Sequence, residues 1–567
     1  MSCEITSPRT LCEAFGRVAA LHPEAVALRT PGDAVVLSWA DYRRRVDAIA
    51  AVLHDLGVRR GDTVAMMLVN RPEFHLVDTA ALHLGATPFS IYNSNSPEQI
   101  EYLFANAGNK VVVTEPQFVA RLNAAGASCV VSVEDCADAL SLTALEAAAA
   151  PIDVAALAAA VQPDDVATLI YTSGTTGPPK GVECTHEQLL ASAEGFRAWF
   201  EVTPADSCVS FLPSAHIADR IANHYLQMRY GLLVTSVADP RAVGAGLVDA
   251  APTLFGATPG VWQRIRSAVL PALGGAAPAD LDPEVQAAIR QKLGMHRIRW
   301  SVCGAAPVPP ETLAFFNDLG VPLIEVWGMS EVSGIGTANP VEDNRLGTVG
   351  RVLPGAGVML AEDGELLFRG TQVMRGYRHQ PEATAAAIDA DGWLHTGDVA
   401  TIDDDGYITI IDRKKEIIIN AAGKNMSPAN IETMLKASAP LLSQAVAIGD
   451  ARQYVTALFV LDPDAVAVWA AGAGLDARTP DALATHPALL DTLEAGVRAG
   501  NQRLSRVEQI KRFRVLPDVW IPGGVELTPT MKLRRRPIAE RYAAEIEELY
   551  APEPPATVRS LAAEARA

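Results

Sequence analysis

Residues Tyr171 to Val182 read Tyr-Thr-Ser-Gly-Thr-Thr-Gly-Pro-Pro-Lys-Gly-Val and follow directly on an apolar, strand-like run that begins at Val166. Four hydroxyl residues (Thr172, Ser173, Thr175, Thr176), three glycines (Gly174, Gly177, Gly181) and Lys180 share this one short segment. Glycine lets backbone N–H groups turn toward a ligand without a Cβ in the way. Consecutive N–H groups and hydroxyls cradle an anion, and a lysine adds charge. The plain alternative is a Gly-rich turn; the density of hydroxyls and glycines points instead to a loop that holds phosphate.

The Walker loop, G-x-x-x-x-G-K-[ST], is the obvious rival. Gly174 and Lys180 have its separation, but Pro179 stands where the second glycine belongs and has no N–H to offer. Gly181 stands where the magnesium-binding hydroxyl belongs. Downstream, Thr185-His186-Glu187-Gln188 is a capping box that opens a helix expected to run to about Phe200, so the loop is expected between a strand and a helix.

Apolar strand-like runs alternate with helical spacing through the first four hundred residues. Thr63 to Val69 and Lys110 to Thr114 read as strands; Ser38 to Leu56, with Ser38 as N-cap, and Pro97 to Asn106 read as helices. This pattern predicts an α/β fold with largely parallel sheets. The alanine-rich stretch Ala144 to Val161 reads as one or two surface helices or a linker, and Leu270 to Asp282 as a loop. From Gly357 to Ile411 short strands are divided by Asp-Gly turns, a β-rich signal. The charged knot Asp412 to Glu416 precedes a new αβ pattern. The chain therefore divides into a large N-terminal domain, 1–411, with its β-rich part at about 357–411, and a small α+β C-terminal domain, 412–567, whose tail 552–567 is expected to fray.

Composition limits the partners. The chain has 567 residues, 47 basic against 66 acidic for a net charge of −19, so a nucleic-acid backbone is a poor match. Seven scattered cysteines without C-x-x-C spacing suggest a reducing compartment, the cytoplasm, and no zinc site. No secretory signal and no apolar run of membrane-spanning length is evident. Peripheral membrane contact and a homodimer are compatible with the sequence, which requires neither.

The loop resembles the signature of the adenylate-forming superfamily: acyl-CoA synthetases, luciferases and peptide-synthetase adenylation domains. Further segments match in the family's order, from about Ser38 to Arg536. Trp327-Gly328-Met329-Ser330-Glu331 stands where relatives have Tyr-Gly-Met-Thr-Glu. The resemblance implies an aromatic ring for adenine to stack on, a Ser330 hydroxyl for phosphate, and Glu331 as a magnesium ligand. It also places Glu325 and the small-residue segment Gly304-Ala305-Ala306 beside the nucleotide, although the latter is equally readable as a strand-to-helix turn. Asp398, in His395-Thr396-Gly397-Asp398, would accept the ribose hydroxyls, and Arg413 would contact ribose or phosphate. Lys415 matches the hinge; Ala422-Gly423-Lys424 match the loop lining the pantetheine tunnel; Lys532, in Thr530-Met531-Lys532, matches the adenylation lysine. Without the family, Lys414, Lys415 and Lys532 read as surface charges. His216 falls at the mouth of the acyl pocket on the resemblance, and is equally a satisfied core histidine without it.

The resemblance implies a mobile small domain and a reaction of ATP, Mg2+ and CoA. A carboxylic acid attacks the α-phosphorus to give acyl-AMP and pyrophosphate, and a thiol then displaces AMP. Lys532, Glu331, Thr176 and His216 are the expected catalytic set. Phe211 to Arg220, Pro252 to Ile265 and Gln444 to Asp462 are most similar to long- or very-long-chain fatty acyl-CoA synthetases. Loading of a carrier protein in trans, and a medium-chain or aryl acid as substrate, are the alternatives.

Overall fold

Strands and helices alternate from Val26 onward in the computed structural model, which describes residues 7–172 and 178–561. The largest sheet has the strand order Gly376–Tyr377, Lys180–Thr185, Val166–Thr172, Thr87–Ser90, Thr63–Met67, Val111–Thr114, Val130–Ser132, Leu140–Ser141. From Val166–Thr172 to the last of these, all pairs are parallel. Parallel strands are covered on both faces, which is why Thr63–Met67 and Val111–Thr114 are buried throughout and apolar without alternation. A second sheet places Leu254–Ala257, Trp300–Cys303 and Leu323–Trp327 in parallel, then turns antiparallel. A third sheet, Val26–Arg29 with Ser207–Ser210 and Leu233–Ser236 in parallel, takes Val36–Ser38 as an antiparallel edge.

The β-rich part is an antiparallel sheet of Ala356–Leu360, Glu365–Gly370, Leu394–Ile402 and Ile408–Arg413, whose last strand carries the large unit to Arg413, two residues past the boundary expected after 411. Beyond it, Leu442–Ile448, Val455–Leu461, Ile510–Leu516 and Val558–Ser560 form the sheet of the small unit, flanked by the helices Pro428–Ser438 and Pro487–Gln502. The apolar clusters separate along the chain. Three draw only on residues up to Ile410, and two only on residues from Ile418 onward.

Both expected helix starts form. Ser38 Oγ accepts from Asp41 N at 3.1 Å, and Thr185 Oγ1 accepts from Gln188 N at 3.3 Å, each with the reciprocal bond of a capping box. Removing such a cap costs about 1 kcal/mol. Other expectations need correction. The phosphate loop does not run directly into a helix: Lys180–Thr185 is a strand antiparallel to Val166–Thr172, and the helix His186–Arg197 begins only after it and stops short of Phe200. The segment is short and sits beside a capping box, so its β-pairing has no periodic signal. The alanine-rich stretch agrees with expectation in holding two short helices, Leu142–Ala148 and Val154–Ala159, whereas the Leu270–Asp282 loop contains 3-10 turns. The tail does not fray from 552. Val558–Ser560 pairs with Ile510–Leu516, and Arg559 ion-pairs with Asp491 and Glu494 at 2.5 Å each. No helix among the described residues is long and apolar enough to cross a membrane.

Candidate active site

The hairpin that carries the phosphate loop fixes its two ends as a cross-strand pair, Thr172 opposite Lys180. Ser173, Gly174, Thr175, Thr176 and Gly177 lie outside the described residues. Lys180 projects over the ring of Tyr377, 4.5 Å from its centroid, and Tyr377 Oη donates to Glu331 Oε1 at 2.9 Å. Tyr377 thus joins the loop's lysine to the expected metal ligand. Sequence reasoning missed it; its one signal is an aromatic ring after Gly376 on an otherwise polar stretch.

Glu331 sits in the 3-10 turn Ser330–Val332, which follows Leu323–Trp327 through Gly328. A Cβ on Gly328 would come within 1.8 Å of the Gly334 carbonyl oxygen, so only glycine lets the chain fold back this tightly. Glu331 is buried, and Tyr377 engages one of its oxygens, leaving the other as a hard donor. Among the described residues no group of three or more His, Cys, Asp or Glu gathers as a metal cage. A single carboxylate suits Mg2+, which is usually held by one or two carboxylates with waters and substrate phosphates.

Trp327 does more than offer a ring face. Its indole Nε1 donates to Asp398 Oδ2 at 2.7 Å, and Arg413 Nε meets Asp398 Oδ1 at 2.7 Å. Asp398 and Arg413 are cross-strand partners, so the β-rich sheet sets this pair. Burial raises the Asp398 carboxyl above the ordinary range, against the pull of Arg413, Trp327 and Lys532. Gly304, Ala305 and Ala306 follow the strand Trp300–Cys303 beside Glu325, the partner of Cys303. Ala305 is left-handed at φ 71°. Burial without a cation pushes Glu325 up to about 8.

Lys532 reaches this group from the small unit. Its loop is closed by Thr528: Thr528 N donates to Lys532 O at 2.8 Å, and Lys532 N to Thr528 Oγ1 at 3.0 Å. Met531 occupies the left-handed region at φ 67°, a conformation that favours glycine. The side chain is exposed to water although protein walls stand around it. Those walls lower its pKa, the like charge of Arg413 lowers it further, and Asp398, Glu331 and Glu416 oppose. His216 lies within the same field. Burial and the positive Lys532 bring it down to about 4, so it is neutral near pH 7. Its Nδ1 accepts from Ala218 N at 3.1 Å, which leaves the proton on Nε2.

The units are tied beside the expected hinge. Asp412 Oδ2 accepts from Ser427 Oγ at 2.6 Å and from Ala429 N at 3.0 Å, capping the first helix of the small unit from the last strand of the large one. Lys414 is pinned by Asp363 and by Glu365 at 3.0 Å, whereas Lys415 stands exposed in the following turn. Farther out, Arg503 grips Glu311 with two bonds of 2.8 and 3.0 Å. Ala422, Gly423 and Lys424 form an exposed turn organised by Asn420, whose Oδ1 accepts from Ala422 N and Lys424 N at 3.0 and 2.9 Å. Among the described residues no hydrogen bond or ion pair joins that turn to the Lys532 group.

The profile of the family described as AMP-binding enzyme matches residues 15–378, and that of the AMP-binding enzyme C-terminal domain matches 415–554. Mycobacterium tuberculosis fadD11 is 51% identical over 421 residues, 68% of this chain and 74% of the relative. The long-chain-fatty-acid–CoA ligase FadD15 of Mycobacterium bovis is 34% identical over 571 residues, covering 91% and 92%. Among solved structures, the anthranilate CoA ligase AuaEII with anthranoyl-AMP superposes with a TM-score of 0.75 at 18% identity, covering 94% and 98%. The two profiles cover the large and the small unit in turn, and the FadD15 relative spans nearly the whole chain: the chain belongs to the AMP-binding enzyme family.

Proposed function

We propose that the protein activates a long-chain fatty acid, forming acyl-AMP and pyrophosphate from ATP and then acyl-CoA with release of AMP. The observation that carries the reading is convergence. Lys532 of the small domain lies within electrostatic reach of Glu331, Asp398 and Arg413 of the large one, and His216 feels its charge. Attack of a carboxylate on phosphorus needs no side-chain nucleophile. It needs phosphates neutralised and the two reactants held in line. Thr172, Lys180 and the loop between them would hold the phosphates, with Ser330 beside them. Asp398 and Arg413 would hold the ribose, and Trp327, Glu325 and Gly304 to Ala306 the base. Glu331 would hold Mg2+, which supplies charge neutralisation at the phosphates. Neutral His216 would stand where the carboxylate arrives. The small domain would then turn about Lys415 and present Ala422 to Lys424 to the CoA thiol. Free thiols buried at Cys12, Cys184, Cys208 and Cys303 fit a cytoplasmic location.

The length of the acid rests on FadD15-like relatives and on segment resemblance. Purified protein with ATP, Mg2+ and hexadecanoate should exchange labelled pyrophosphate into ATP, and should form hexadecanoyl-CoA when CoA is added. Exchange with benzoate or acetate but with no acid of twelve or more carbons would sink the long-chain reading.

A further inference from the structure

The π-turn that follows His216 along the chain carries polar groups that the adenylation chemistry leaves unused. A cavity of about 20 Å³ lies between the helix His186–Arg197, the π-turn Arg220–Tyr225 and the strands Leu254–Ala257 and Trp300–Cys303. Its lining is mostly apolar, with Phe196, Leu226, Phe255 and Trp300, but Ser192 and Asn223 also line it. Ser192 is fully buried and its Oγ has no hydrogen-bond partner, not even the carbonyl one turn back that helical serines commonly use.

Asn223 is oriented from behind. Its Nδ2 donates to Asp219 Oδ1 at 2.7 Å; Ser210 Oγ donates to the same carboxyl at 3.1 and 3.0 Å; Asn70 Nδ2 donates to Ser210 Oγ at 3.0 Å. With its nitrogen committed to Asp219, the amide turns its Oδ1 away from that carboxyl as a free acceptor. Asp219 is fully buried without a cation, because the adjacent Arg220 is taken by Asp78, and burial pushes Asp219 up to about 7. A buried polar chain of this kind is costly unless something completes it, and π-turns are frequent at functional sites.

We propose that this cavity recognises a hydroxyl group carried part-way along the acyl chain, its O–H donating to Asn223 Oδ1 and its oxygen accepting from Ser192 Oγ–H. The inference rests on the fatty-acid reading above. The seven steps from His216 to Asn223 rise at most about 10 Å at the α-helical value of about 1.5 Å each, the π-turn rising somewhat less. With carbon–carbon bonds of about 1.5 Å in a zigzag, that distance corresponds to roughly carbons 7 to 10 of the chain. The cavity as it stands has room for about one water, so side chains must move for the chain to enter.

The test uses the full chain with ATP, Mg2+ and CoA, comparing octadecanoate, 3-hydroxyoctadecanoate and 10-hydroxyoctadecanoate by pyrophosphate release. The expected kcat/KM for the 10-hydroxy acid exceeds that of the other two by about tenfold or more, since a site built to bond a hydroxyl rejects the analogue that lacks it. In Ser192→Ala and Asn223→Leu the ratio collapses toward one. A wild-type ratio below tenfold overturns the proposal, as does a ratio that survives in Ser192→Ala, and a water then completes the network. Good turnover of octadecanoate with no preference refutes only this proposal. No pyrophosphate from any of the three acids would refute the fatty-acid reading with it.

Discussion

Asp412 offers the sharpest test of how the two domains are held. Its side chain belongs to the last strand of the large domain; Oδ1 accepts from Arg413 N of that strand at 2.6 Å, while both donors to Oδ2, Ser427 Oγ and Ala429 N, belong to the small domain. Asp412→Ala removes a buried acceptor yet leaves the helix capped, because Ser427 Oγ still accepts from Asn430 N at 3.0 Å. Hydrogen bonds to a charged group contribute about 1.5–3 kcal/mol each. Allowing for water to replace part of this, the adenylation pose loses about 2–3 kcal/mol, a shift of about 30- to 150-fold in the balance between poses. Acyl-AMP formation, followed as pyrophosphate release without CoA, should fall by about that factor. Thioester formation from supplied acyl-AMP should be spared, since rotation about Lys415 parts Asp412 from its donors. Arg503→Ala is the calibrating variant. Its pair with Glu311 is partly exposed, and such pairs contribute at most about 1 kcal/mol, about fivefold. Equal loss of both half-reactions, or a larger effect from Arg503→Ala, would refute the reasoning.

Two further predictions concern local conformation and charge. Met531 is held at φ 67°, a region that costs an ordinary residue about 1–2 kcal/mol. Met531→Gly should raise the urea midpoint of the small domain and Met531→Val should lower it; the same sign for both would exclude backbone strain. Glu325 is held up to about 8 against an ordinary 4.5, so between these values the folded protein binds a proton that the unfolded chain releases, and stability falls as pH rises through that window. Glu325→Gln removes this loss. Its melting temperature should exceed that of the wild type by an amount that grows from about pH 5 to about pH 8, whereas a constant difference would count against the buried-acid account.

Much of the fold was legible because it rests on local signals. Capping boxes at Ser38 and Thr185 announce helices by side-chain chemistry, and Thr63–Met67 announces a doubly covered strand by unbroken apolar residues. The hairpin strand Lys180–Thr185 was not legible, because its pairing is decided by Val166–Thr172 across a turn and its own six residues carry no clear alternation. The C-terminal strand Val558–Ser560 escaped for the same reason: three residues follow a polar stretch, and their register is set by Ile510–Leu516. At the site, order along the chain brought Glu331, Asp398, Arg413 and Lys532 to attention as a series. Their joining is a tertiary matter. The Trp327 bond to Asp398, the Tyr377 bridge from Lys180 to Glu331, and the Asp412 cap across the domains each link residues far apart in sequence. None of them has a local pattern, and neither does the orphaned Ser192 hydroxyl, which becomes notable only once burial removes its water.

The account as a whole depends on Lys532 serving one half-reaction from a domain that moves. Lys532→Ala, assayed separately for each step, tests this most directly. The account predicts a loss of acyl-AMP formation of at least about a hundredfold, with unchanged thioester formation from supplied acyl-AMP and CoA. Equal loss of both steps, or retention of the first, would contradict it.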